Sequence, residues 1–172
     1  AFAGWGNSTL SGLEVRGAAA SSNVTTNPDG YIGVLTSNGQ TFNYFDEIGG
    51  ANWDRTMDVE IVGTKLYWTG SVGVGFPVST SGVYDITHNG GGIDAVVGVV
   101  SDTGGVSTYK ATFYGSNGAD LGNGIKLVSE TACGSGGNSF ILIWGTTGGN
   151  NLPTVNIGSD PFYDSTKNPG TD

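Results

Sequence analysis

A chain of 172 residues is one domain's worth, long enough to bury a core without a covalent staple. Fifteen Asp and Glu against six Lys and Arg give a net charge of -9 with no basic cluster to offset it, which argues against nucleic acid and anionic membrane as partners. Cys133 is the single cysteine, so neither an intrachain disulfide nor a Cys-based zinc site can form, and thirty-two glycines among few charges suit a turn-rich secreted, capsid or cell-surface β protein.

Residues 1 to 9, with Trp5 between glycines, read as a loosely held arm, and Ala1-Phe2-Ala3 has the form of a signal-peptidase site. Leu13 and Val15 alternate with Glu14 and Arg16 as a first edge strand. After the turn Asn27-Pro28-Asp29-Gly30, the runs Tyr31 to Thr36 and Gln40 to Phe45 flank Asn38-Gly39, the dipeptide a type I′ hairpin turn prefers. Asp46 to Thr56 lacks strand periodicity and reads as a loop.

Met57, Val59 and Ile61 alternate with Asp58 and Glu60, and beyond Gly63-Thr64 Leu66 and Trp68 alternate with Lys65 and Tyr67, giving a second hairpin with one wet face. Val72 to Val78 is apolar and glycine-spaced, and Pro77 marks it as an edge or bulge open to strand exchange. A flexible link, His88 to Gly92, leads into Ile93 to Tyr114, whose β-branched first half and alternating second half surround a Gly-rich turn and form the central hairpin. Asn117-Gly118 and Asn123-Gly124 read as turns, and Ile125 to Glu130 as a strand. Ser139 to Gly145 is the most uniformly apolar strand, Leu152 to Ile157 the last, and residues 159 to 172 form a tail or linker.

The expected fold is therefore all-β, an antiparallel β-sandwich of jelly-roll or immunoglobulin-like type with about ten to twelve short strands, filling residues 1 to 158 as a single domain. Trp68 and Trp144 are expected in its core, since they share faces with Leu66 and with Phe140 and Leu142.

Few residues carry chemistry. His88 is the only histidine and sits beside turn residues, so it lacks the company of a hydrolytic triad or a metal site. Glu60 and Glu130 read as solvated strand charges rather than a glycosidase pair. Asn117, Asp120 and Asn123 offer oxygens in a glycine-permitted loop, the donor set of a calcium site, although the spacing fits no EF-hand; calcium is the only cofactor the sequence suggests.

The loop from Asp46 offers more. An indole stacks on the apolar face of a sugar ring while amides, carboxylates and guanidinium bond its hydroxyls, and Asp46, Asn52, Trp53, Asp54 and Arg55 supply all of these. The expectation is a non-catalytic, secreted or surface binding module of adhesin or lectin type, with carbohydrate as ligand and without membrane insertion. The alternative is a structural subunit of a filament, fibre or virion protrusion, self-associating by strand or arm exchange.

Overall fold

The computed structural model describes residues 1–6, 27–79, 81–102, 107–129 and 139–153. They form nine strands and no helix: β1 (Phe2–Gly6), β2 (Asp29–Leu35), β3 (Phe42–Ile48), β4 (Asp54–Val62), β5 (Lys65–Gly73), β6 (Ile93–Asp102), β7 (Ser107–Tyr114), β8 (Asp120–Ser129) and β9 (Ser139–Thr147). All pairings are antiparallel, in sheets ordered β1-β2-β3, β4-β5-β6-β7 and β8-β9. The expected strand at Leu13, Cys133 and the tail from 159 lie outside the described residues.

The hairpins follow the residue patterns. Gly39 and Gly63 take φ of 71° and 61° at the β2/β3 and β4/β5 turns, a backbone conformation that glycine adopts without a Cβ clash. The first two sheets share one core. Ile32, Tyr44 and Ile48 from the first meet Leu66, Trp68, Val72, Val96, Val100 and Phe113 from the second, with Phe76 packed in from the segment after β5. Each fully buried aliphatic or aromatic side chain there contributes about 1.5 to 3 kcal/mol.

Many glycines lie within strands rather than turns. In four cross-strand pairs the facing ring packs over the glycine: Phe2↔Gly33, Tyr31↔Gly4, Trp68↔Gly98 and Trp144↔Gly124. In each pair a Cβ on the glycine would come within 1.9 to 2.5 Å of the facing ring. The missing side chain is thus the space in which the cross-strand ring lies flat.

Thr56 joins the two larger sheets. Its hydroxyl accepts from the amides of Gly4 (3.2 Å) and Tyr31 (3.1 Å) and lies 2.5 and 2.7 Å from their carbonyl oxygens, tying β4 to β1 and β2. The third sheet hangs on β4 by carboxylates. Asp58 Oδ2 accepts from the Ile125 amide at 3.0 Å, while Glu60 accepts from the Leu127 amide and pairs with Lys126. Side chains from alternate β4 residues thereby occupy β8 amides that a neighbouring strand would otherwise take.

The structure corrects several expectations. Residues 2 to 6 are a paired strand, because Phe2 packs its ring against Tyr31, Phe42 and Phe45. Of the expected run at 72 to 78 only Val72 and Gly73 belong to a strand, at the end of β5 between β4 and β6, and Pro77 falls beyond it. Asn123 is not in a turn but is the extra residue of a bulge within β8, between Gly122↔Gly145 and Gly124↔Trp144.

Candidate functional site

The expected loop at 46 to 56 is shorter than its sequence suggests: β3 runs to Ile48 and β4 begins at Asp54, leaving residues 49 to 53 between. This short connection is heavily pinned. Asp54 Oδ2 accepts from the Gly50 amide at 2.5 Å and Oδ1 from Gly73 at 3.0 Å, and the Asp54 amide donates to the Pro28 carbonyl. Asn52 Nδ2 donates to the Val74 carbonyl at 2.6 Å, and Asn27 Nδ2 to that of Ala51.

Alternation then separates the five expected ligand residues. Asp46 and Asp54 are 0% and 1% exposed; the first accepts from the Tyr44 hydroxyl and the second holds the loop, so neither carboxylate faces solvent beside Trp53. Asn52, Trp53 and Arg55 remain outward, Arg55 only in part. Residues 53 and 55 share a strand face, and 54 takes the other.

A fourth member comes from β1. The Arg55 guanidinium carbon lies 4.5 Å from the Trp5 ring centroid and 4.9 Å from that of Trp53, within cation–π range of both. The indoles stay 47% and 51% exposed. Trp5 has no alternating pattern around it, and the tie through Thr56 helps to hold β1 alongside β4. The result is an aromatic platform with one guanidinium between two indoles, while the Asn52 amide is bonded to the Val74 carbonyl.

Carboxyls crowd beneath it. Burial, then repulsion from Asp54 and from Glu47, pushes Asp29 up to about 6. Burial also pushes Asp54 to about 6, against the opposing pull of the Gly73 and Gly50 amides, and burial followed by Asp46 raises Glu47.

The expected calcium residues lie along the connection into β8 and on that strand. Asp120 is 1% exposed at the start of β8, and its oxygens accept from the Ser116 amide (2.6 Å) and hydroxyl (3.0 Å). Asn117 is exposed and accepts from the Asn150 amide, while Asn123 is exposed on the bulge. Among the described residues no three His, Cys, Asp or Glu side chains gather as a cation site.

A second polar cluster lies beside Asp120, with His88 Nε2 3.8 Å from Asp94 Oδ1. The Gly90 amide donates to His88 Nδ1, which therefore acts as acceptor and leaves the tautomeric proton on Nε2, facing Asp94. Burial raises the Asp94 carboxyl, with Asn89 and His88 pulling it down. Ser116 and His88 engage separate carboxylates, and Ser116 is 0% exposed, so these residues form no nucleophile relay. Among the described residues no helix is long and apolar enough to cross a membrane.

No protein-family model matches the chain, and no curated protein matches it significantly.

Proposed function

We propose that the chain is a non-catalytic carbohydrate-binding module, secreted or displayed on a cell surface in the manner of an adhesin or lectin, with its sheets arranged as a β-sandwich. One observation carries this reading: two half-exposed indoles, Trp5 on β1 and Trp53 on the loop before β4, flank the Arg55 guanidinium, and that loop is pinned by Asp54, Asn52 and Asn27. Indole faces supply apolar stacking area for a sugar ring, and the guanidinium supplies hydroxyl-directed donors. Because the loop is ordered before contact, little conformational entropy remains to be lost on binding. The acidic chain disfavours anionic glycans except at Arg55, so neutral sugars are the favoured class.

A glycan array with Trp53→Ala and Trp5→Ala as controls tests this. The expected result is binding to a defined group of neutral glycans, weakened by about tenfold or more in each variant, as loss of a central aromatic contact entails. Binding that ignores both substitutions would contradict the assignment.

A further inference from the structure

Two segments meet under the platform and are joined backbone to backbone. The amide that follows Trp53 in the chain, that of Asp54, donates to the Pro28 carbonyl at 2.9 Å, and Asn27 Nδ2 donates to the Ala51 carbonyl at 3.1 Å. Residues 27 to 29 are thus one side of a seam whose other side, residues 49 to 54, carries Trp53. The Asp29 carboxyl lies inside this seam. A Cβ at Gly49 would come within 2.3 Å of its carboxyl carbon and of one carboxyl oxygen, so the group is packed against the Gly49 backbone, and the residue is 5% exposed.

The two buried acids of the seam are not equivalent. Both Asp54 oxygens accept amide protons, from Gly50 and Gly73, and such donors favour the ionised form. Among the described residues no group donates a hydrogen bond to the Asp29 carboxyl. The charges facing it are Asp54 from β4 and Glu47 from β3, with Asp46 acting in turn on Glu47. Gly6 of β1, which pairs with Asp29, and Gly73 of β5 bring no charge, and alternation sends Arg55 to the other strand face. An ionised Asp29 is therefore an unpaired anion held out of water beside a second anion, whereas a protonated one is neutral and can donate.

We propose that the seam is a proton-operated latch on the glycan site: protonated Asp29 lets residues 27 to 29 close against the loop that carries Trp53, and ionised Asp29 forces the two apart. Movement at Pro28 acts on Trp53 directly, because the peptide bond between Trp53 and Asp54 supplies the hydrogen bond to Pro28. Burial, then Asp54 and Glu47, raises Asp29 from 3.8 to about 6. The closed seam is therefore favoured fully below about 3.8 and loses that support as pH rises through about 6. Opening removes the preorganisation of the loop, so glycan affinity falls as pH rises. The latch rests on the carbohydrate reading for its ligand but not for its motion.

Nitrogen–proton NMR of the full chain without ligand, in a pH series from about 4.5 to about 8, tests the motion. The Trp53 indole and Asp54 amide signals should shift together with a midpoint of about 6, while those of Trp68 stay in place. Asp29→Asn, neutral at every pH, should hold both signals at their acidic positions. Glu47→Gln removes one of the two repelling charges and should lower the midpoint, which keeps the test decisive if Asp29→Asn misfolds. Signals that do not move, or that move alike in the wild type and both variants, would overturn the proposal.

An array of neutral glycans probed at about pH 5 and about pH 7.5 tests the coupling: the chain should bind about fivefold or more weakly at the higher pH, and the Asp29→Asn chain equally at both. Equal wild-type binding at both would overturn the proposal and leave the carbohydrate reading intact. No binding at either pH, with the Trp53 signal still moving, would support the latch and contradict the carbohydrate reading.

Discussion

Trp68 and Trp144 lie over Gly98 and Gly124 in the same cross-strand arrangement, but the first is 0% exposed and the second 53%. The local device is shared; what differs is cover. β5 lies between β4 and β6, and the first sheet closes over its inner face, whereas β9 stands at the outside of a two-strand ladder held to β4 by Asp58 and Glu60. Cross-strand packing thus builds the sheet, while burial, and the stability that follows from it, depends on what the rest of the chain lays on top.

The sharpest way to break this comparison is to add a methyl group to each glycine. In Gly98→Ala the new Cβ meets the Trp68 indole at 2.2 Å, with Phe76 and Tyr109 packed around that ring, so denaturant unfolding should show a loss of about 3 kcal/mol or more. In Gly124→Ala the clash is nominally closer, 1.9 Å, yet the Trp144 indole can swing into solvent, and the loss should stay below about 1 kcal/mol. Equal losses would mean that the two tryptophans are equally confined.

A smaller effect probes the tether. Asp58→Ala removes the acceptor of the Ile125 amide, in a residue 3% exposed, and should cost about 1 to 2 kcal/mol, with faster amide exchange in β8 than in β5.

The smallest concerns the carboxyls under the platform. Asp29 and Asp54 have ordinary values of 3.8 and are raised to about 6, so the folded state holds their protons more tightly than the unfolded state. Their stabilising contribution is full below about 3.8 and is lost as pH rises through about 6. Asp29→Asn should therefore raise the melting temperature at pH 7 by a few degrees and flatten its dependence between pH 4 and 6, in a pH series of thermal scans.

The strand hairpins were legible because period-two alternation and Asn-Gly or Gly-Thr turns are local signals; the β2/β3, β4/β5 and β6/β7 pairs fall close to where those signals place them. The all-β class follows from the same alternation. The exposure of β9 was not legible, since an unbroken apolar run looks the same whether or not another layer covers it. At the candidate site Trp53 and Arg55 were visible as i and i+2 on one face, and that same parity turns Asp54 inward. Trp5 was hidden because its place beside Arg55 depends on Thr56 gathering three strands far apart in sequence.

On the proposed reading, glycan recognition and β9 use separate surfaces, each marked by its own exposed indoles. Fluorotryptophan labelling gives four fluorine NMR signals, one for each of the chain's 4 tryptophans, and can follow both surfaces at once. Added glycan should move the Trp5 and Trp53 signals and leave those of Trp144 and Trp68 in place. A glycan response at Trp144, or none at Trp5 and Trp53, would contradict that reading.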